Sequence, residues 1–447
     1  MNIKRAKQEI KNTIRAYHLK DAKGEYRIPT IRQRPILLMG PPGVGKTQIM
    51  EQIAQECHLP LVSYTITHHT RQSAIGLPFI KEKEYQGKMY SVTEYTMSEI
   101  IASVYEKMEQ TGKQEGILFI DEINCVSETL APTMLQFLQC KSFGNQSVPK
   151  GWIIVAAGNP PEYNKSVREF DVVTLDRVKK IDVEADFQVW KEFAYEQKIH
   201  GAIISYLDIK KDCFYQIETT IDGKRFATAR GWQDLSEILQ VYDELDMLMD
   251  QEVVYQYIQH GRIAKDFANY LELYAKYRTD YQIDGILKGK WKPSAIEKLK
   301  FAPFDERLSV IGLLISRLGD IFSQVKEMDE QVTRTYEELK ARKALEGELD
   351  ETIRAEFAKQ TELREQMIDE AAENLECAFD FCEIAFGESQ EMVVFITELT
   401  VNQYSAWFIG ENGCDRYYKY NKGLLFHERQ QGILQDMDEV RSLMEGN

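Results

Sequence analysis

Four short, densely apolar runs punctuate the first third of the chain, at residues 36–39, 61–66, 116–120 and 152–157. Between them, residues 46–57, 99–109 and 131–139 carry apolar positions at helical spacing. Strands this uniformly hydrophobic, alternating with helices, predict a parallel sheet covered on both faces. Ahead of them, Ile3, Ile10, Ile14 and Tyr17 fall on one face of a helix over residues 1–20. Lys4, Arg5, Lys7, Lys11, Arg15 and Lys20 make its other face basic, which reads as a solvated face before a nucleic-acid or partner contact. Residues 24–34 form a connector.

After about residue 184 the pattern turns helical, with a break at 221–224. Leu235, Ile238, Leu239, Tyr242, Leu245 and Leu248 trace one face in steps of three and four. Tyr270, Tyr274, Tyr277 and Tyr281 form an aromatic stripe, read as a packed helix interface rather than a base-stacking platform, which needs a basic groove beside it. Residues 322–375 are strongly charged and predict a long helix or helical hairpin. Residues 377–426 mix aromatics with strand-like runs such as 392–396. The expected fold is an α/β core, a parallel sheet flanked by helices, which the G-x-x-x-x-G-K-T sequence Gly40–Thr47 between the first strand and helix makes a P-loop NTPase core, with a helical lid and a mostly helical C-terminal region. Expected boundaries are 1–34 for the helix and connector, 35–183 for the α/β domain, 184–290 for the lid and its extension, and 291–447 for the C-terminal domain with its charged arm.

Composition narrows the picture. A chain of 447 residues is long for one core and predicts two or three domains. A net charge of −16 argues against a surface that wraps nucleic acid nonspecifically. The seven cysteines, at 57, 125, 140, 213, 377, 382 and 414, lack framework spacing and read as free thiols in a reducing compartment. No run approaches eighteen apolar residues and no secretory signal opens the chain, so the expectation is a cytoplasmic protein without a membrane span.

The chemistry gathers around Gly40-Pro41-Pro42-Gly43-Val44-Gly45-Lys46-Thr47, a G-x-x-x-x-G-K-[ST] loop between an apolar strand and a helix. Its glycines let backbone N–H groups converge on phosphate oxygens, and the helix terminus adds a favourable potential. Lys46 is placed to reach the β and γ phosphates of ATP, and Thr47 to offer its hydroxyl to Mg²⁺. Asp121 and Glu122 follow the apolar run 117–120, so both emerge at the carboxyl edge of the sheet. Asp121 suits the magnesium shell and Glu122 the orientation of an attacking water. Asn159 ends another strand in Gly158-Asn159-Pro160-Pro161, within reach of the γ phosphate or the water. Charge building on the transferred phosphoryl calls for an arginine. Arg177 and Arg230 are candidates, Arg168 and Arg225 compete with them, and spacing alone does not rank the four. His68 and His69 are adjacent, but without nearby ligand partners they read as loop residues.

In this order the residues resemble an AAA+ ATPase, and more narrowly its MoxR-like branch, specifically over about 33–240. The acid pair opens a D-E-I-N sequence, Asp121-Glu122-Ile123-Asn124, and Gly158-Asn159-Pro160 matches the first sensor. Leu175-Asp176-Arg177-Val178 resembles the L-D-R-F arginine-finger element with its aromatic replaced. Thr228-Ala229-Arg230 resembles the S-P-R element of the second sensor with both leading residues changed. The resemblance implies ATP at subunit boundaries of a ring, most often a hexamer, that remodels a protein client, commonly a von Willebrand A domain protein. It also implies that residues 68–88 correspond to a helix-2 insertion used for clients. A nucleic-acid-linked motor or restriction-system subunit, and an ATP-dependent scaffold or switch with slow turnover, are the competing functions.

Overall fold

The computed structural model describes residues 1–423 apart from 69, 145, 164–166, 168–169, 221–222 and 347–350. The chain divides into two compact units. One holds residues 1–189 and 228–230, and the other residues 190–227 and the chain from 231 onward.

The first unit runs α1 (Ile3–His18), β1 (Ile36–Met39), α2 (Lys46–Glu56), β2 (Leu61–Thr65), α3 (Arg71–Ile75), β3 (Pro78–Tyr85), β4 (Lys88–Tyr95), α4 (Glu99–Thr111), β5 (Gly116–Asp121), α5 (Ala131–Cys140), β6 (Ser142–Phe143), β7 (Gln146–Ser147), β8 (Trp152–Gly158), α6 (Val172–Leu175) and β9 (Lys179–Asp182). Five strands form a parallel sheet in the order β2-β5-β8-β1-β9. The period of two sends Leu38, Phe119, Val155 and Ala157 to one face, against Ile10 and Ile14 of α1 and Ile49 and Ile53 of α2. Leu37, Leu118, Ile154 and Ala156 face the other way, against Ile101 and Val104 of α4 and Met134 and Leu138 of α5. Both faces are therefore buried, which is why these strands read as continuous apolar runs.

The lead-in helix lies on this sheet as its pattern predicts, with Ala6, Ile10, Thr13 and Ile14 buried. Part of its basic face is used internally. Lys7 and Lys11 both reach Glu56, at 2.7 and 2.6 Å, while Lys179 on β9 reaches Glu9 at 2.6 Å. The strands β3 and β4 pair in register from Pro78↔Tyr95 to Tyr85↔Lys88. Their turn is Gln86 and Gly87, with φ of 52° and 76°, the left-handed pair that a tight two-residue hairpin uses. Of residues 68–88, expected as a loop insertion, 71–75 are thus helical and 78–88 belong to a hairpin that continues to Tyr95.

The second unit contains most of α7 (Phe187–Glu196), then α8 (Gly201–Ile209), β10 (Gln216–Thr220), β11 (Gly223–Ala227), most of α9 (Ala229–Glu244), α10 (Gln251–Tyr257), α11 (Gly261–Tyr281), α12 (Ile283–Leu287), α13 (Pro293–Phe301), α14 (Phe304–Glu346), α15 (Glu351–Phe386), α16 (Gln390–Val401) and α17 (Gln403–Asn412). One core joins Leu314, Leu318 and Phe322 of α14 to Phe379 and Phe381 of α15, Phe395 of α16 and Phe408 of α17. Phe322 stacks on Phe408 with ring centroids 4.3 Å apart. Among the described residues α14 is the helix long and apolar enough to cross a membrane, and most of that stretch is buried. Tyr274 and Tyr281 are also buried, so the tyrosine stripe packs into the unit.

Two expectations are corrected. The break at 221–224 belongs to an antiparallel pair, β10 with β11, running from Gln216↔Ala227 to Thr220↔Gly223; residues 221–222 lie outside the described set. The strand-like run 392–396 is inside α16. Met392, Phe395, Ile396 and Leu399 are buried at i, i+3, i+4 and i+7, and that helical face outweighs the β preference of Val393 and Val394. The charged segment 322–375 is two paired helices. Arg364 on α15 meets Asp329 on α14 at 3.2 Å, and the rings of Tyr336 and Phe357 lie 6.1 Å apart.

Candidate nucleotide site

Sheet order builds the site. β8 lies between β1 and β5, so the glycine loop, Asn159 and the acid pair leave three adjacent strands at one edge. Gly45, at φ 89°, caps α2 in a left-handed conformation that turns the chain into the helix.

Lys46, the first residue of α2, is 8% exposed. Its Nζ donates to the carbonyl oxygens of Gly40 and Pro41, both at 2.8 Å, and to Asn159 Oδ1 at 2.9 Å. Burial lowers its pKa from 10.5 to about 8, with the Asp121 carboxylate opposing that shift and the Arg230 guanidinium adding to it. Thr47 Oγ1 donates to Asp121 Oδ2 at 2.6 Å. The other oxygen of Asp121 accepts the Glu122 N–H at 2.9 Å. Glu122 has a φ of 57°, so the chain turns sharply off the end of β5, and the Ile123 N–H returns to the Ala157 carbonyl at 2.9 Å.

Arg230, at the start of α9, belongs to the first unit. Its Cβ stands 3.4 Å from where a Cβ on Gly43 would be, which puts it beside the phosphate loop. Arg177 is placed otherwise. It is exposed, just beyond α6, and donates to Gln139 near the end of α5. Arg225 lies on β11 of the second unit, and Arg168 lies outside the described residues, as does His69.

Two further groups bear on the site: Thr67, which no motif includes, and Asn124, which the D-E-I-N sequence includes without a role. Thr67, in the 3₁₀ turn Ile66–His68 after β2, donates to Glu122 Oε2 at 2.8 Å. The signal available in sequence was only that β2 ends two residues earlier, level with Asp121. Asn124, 2% exposed, donates from Nδ2 to the Asn159 carbonyl at 2.8 Å and accepts the Asn159 N–H at 3.3 Å. The neighbouring Gly158 admits this clamp, since a Cβ there would lie 2.5 Å from Asn124 Oδ1.

Residues 36–175 match the family model described as ATPase family associated with various cellular activities (AAA). Over that span the chain is similar to AAA ATPases. No curated protein matches the sequence. The matched span contains the glycine loop, the acid pair and Asn159; Arg177 falls two residues beyond it, and Arg230 farther along the chain.

Proposed function

We propose that this chain is the subunit of an ATP-hydrolysing AAA+ ring that remodels a protein client in the manner of the MoxR-like branch. The observation that carries the reading is the continuous array Lys46–Asn159, Thr47–Asp121 and Asp121–Glu122 along one edge of the sheet. The residues suit a nucleoside triphosphate with magnesium. A buried ammonium group and the N-terminus of α2 favour phosphate. The Thr47 hydroxyl and Asp121 carboxylate are oxygen donors, as a hard divalent cation requires. Magnesium, when bound, would neutralise phosphate charge.

In this reading the loop Gly40, Pro41, Pro42, Gly43, Val44 and Gly45 binds the phosphates through its backbone. Lys46 exchanges its bonds to Gly40 and Pro41 for phosphate oxygens. Asn159 orients the γ phosphate or the water, and Glu122 polarises that water. Arg230 acts from its own chain beside Gly43. Arg177, exposed on the surface, acts on the nucleotide of a neighbouring subunit. For client contact the β3–β4 hairpin offers exposed Phe79, Ile80, Tyr85, Met89 and Tyr90. A von Willebrand A domain protein is the proposed client class.

The test is ATP turnover and particle size for wild type and Glu122→Gln, with and without such a client or DNA. Expected are turnover reduced at least a hundredfold in Glu122→Gln, with ATP binding and assembly kept, and stimulation by the client. Unchanged turnover would remove Glu122 from the chemistry. Strong stimulation by DNA instead would favour the nucleic-acid-linked motor, which the charge of −16 disfavours.

A further inference from the structure

The hairpin β3–β4 leaves both of its faces bare. None of the eight residues in either strand is buried, and Ile80 and Met89 are 77% and 61% exposed. Its base is nevertheless fixed. The Leu77 N–H donates to Thr96 Oγ1 at 2.8 Å and the Thr96 N–H to the Leu77 carbonyl at 2.9 Å. Gly76 lies so close that a Cβ there would meet the Thr96 carbonyl oxygen at 2.1 Å. Eight residues per strand carry the ribbon about 25 Å beyond that base. Two strands alone are marginally stable in water, so a ribbon of this length with nothing buried calls for a covering partner.

The register sorts the side chains. Residues opposite one another in an antiparallel pair share a face, and neighbours along a strand alternate. One face therefore carries Phe79, Tyr85 and Tyr90 with Lys81, Lys83 and Lys88, against a single acid, Glu94. Contacts along it agree: Lys81 reaches Glu94 at 3.7 Å, Lys83 pairs with the same carboxylate, and the Tyr85 and Tyr90 rings lie 6.1 Å apart. The other face carries Ile80, Met89 and Tyr95 with Glu82 and Glu84, and no base. Glu82, Glu84 and Lys88 are all exposed.

A client of either charge suits one of these faces and leaves the other bare. A second copy of the same ribbon suits both. The faces are opposite in charge, and Ile80 and Met89 of one ribbon offer apolar contact to the rings of another.

We propose that the β3–β4 hairpins of successive copies stack, the lysine-bearing face of one on the glutamate-bearing face of the next. Such a contact is head to tail, the type that closes a ring. This stacking rests on the ring reading above, and with it a client meets the row of turns at Gln86 and Gly87 rather than the faces.

Cross-linking of the full chain tests it, with Tyr85→Cys on one face, Met89→Cys on the other, and a bis-maleimide of about 10 Å reach, the spacing of stacked sheets. With ATP present, the double variant is expected to give a ladder of covalent multimers, and the two single variants mixed to give dimers only. Wild type, with its own free cysteines, sets the background. Product above that background from one single variant alone shows like faces meeting and overturns the head-to-tail stacking. Lys81→Glu with Lys88→Glu makes both faces acidic, and Glu82→Lys with Glu84→Lys makes both basic. Added to the double variant, each pair should cut the yield about tenfold or more, whereas all four together exchange the faces and should restore it. A yield indifferent to either pair, or not restored by all four, overturns the proposal. Particle mass under the same conditions separates the two readings. An oligomer without the ladder overturns the stacking alone and returns the faces to the client, whereas a chain that stays monomeric overturns the ring as well.

Discussion

Thr67 donates its hydroxyl to Glu122 at 2.8 Å, across the seam between β2 and β5, and so occupies one oxygen of the carboxylate that the proposed mechanism turns toward water. A carboxylate so held is less free to accept a proton from water. Thr67→Ala should therefore raise basal ATP turnover, roughly two- to tenfold, with the KM for ATP changed less than twofold. Steady-state phosphate release reads both quantities. A fall in turnover would instead mean that Thr67 positions Glu122 for the reaction.

Asn124 ties the turn after β5 to the end of β8 through its two bonds with the Asn159 backbone. Removing it frees the strand end that presents the Asn159 amide to Lys46. Asn124→Ala should cost about 1–3 kcal/mol of stability, the usual penalty for unpairing buried polar groups. It should also lower kcat for ATP more than it raises KM, because Asn159 loses its orientation while the glycine loop stays. Chemical denaturation and steady-state kinetics on the same preparation check the two parts. A change in KM alone would place the clamp outside the chemical step.

Lys46 gives a pH dependence with a definite sign. Burial holds it near 8 rather than 10.5, so between those values the unfolded chain binds a proton that the folded chain lacks. Its contribution to stability consequently increases as pH rises from about 8 toward 10.5. Bound triphosphate favours the charged ammonium and reverses the shift, so binding takes up a proton above pH 8. ATP affinity should fall as pH climbs past 8, by up to about tenfold per unit, and Lys46→Met should abolish that slope. Fluorescent-nucleotide titrations from pH 7 to 9.5 measure it.

The sheet and the glycine loop were legible for the same reason: their information lies in consecutive residues. Strands β1, β5 and β8 are buried on both faces and read as apolar runs, and the phosphate loop is a contiguous motif. The edge strand β9, Lys-Lys-Ile-Asp, buries only Ile181 and carried no such signal. The β3–β4 hairpin was equally hidden, because its aromatics are exposed among charges and imitate no core pattern. In α16 the β-branched pair Val393 and Val394 misled, since a run of five residues does not reveal a period of 3.6. Thr67 and the clamp made by Asn124 depend on which strands are neighbours, and motif spacing does not encode that.

The second unit buries a lysine between two acids. Lys191, 1% exposed, bonds both oxygens of Asp208 at 2.6 Å and also Glu398, which accepts the Tyr195 hydroxyl at 2.6 Å. Burial, and then the Glu398 charge, push Asp208 up to about 6 despite the pull of Lys191. A raised carboxylate pKa means that the ionised form costs stability above pH 6, and that the cost disappears as pH falls toward 4. Asp208→Asn keeps an oxygen for Lys191 and removes the excess charge. It should melt a few degrees above wild type at pH 7.5, with the gap closing by pH 4.5. Thermal melts at the two pH values decide it, and a lower melting temperature at pH 7.5 would show that the Lys191 pair outweighs desolvation.

Arg177 is set apart from the residues of its own nucleotide site: it is exposed and bonds Gln139, whereas Arg230 stands beside Gly43. In the proposed ring this exposed guanidinium, just beyond the matched span, would complete the site of a second copy and offset charge on the transferred phosphoryl. Arg177→Ala alone should reduce turnover by roughly a hundredfold or more while leaving ATP affinity within a few-fold of wild type. Glu122→Gln alone should be equally slow, for a different reason. Mixed in equal amounts, the two variants bring intact Arg177 from one chain to intact Glu122 on another, so activity should reappear above either alone. Arg230→Ala, acting within its own chain, should be rescued by neither the Glu122→Gln nor the Lys46→Met partner, since every site in either mixture still lacks one residue of its own chain. Phosphate release from mixtures titrated across the full ratio is the measurement. A profile for Arg177→Ala that stays flat, with mixed particles confirmed by mass, would assign the arginine to its own surface pairing with Gln139 rather than to a neighbour's nucleotide.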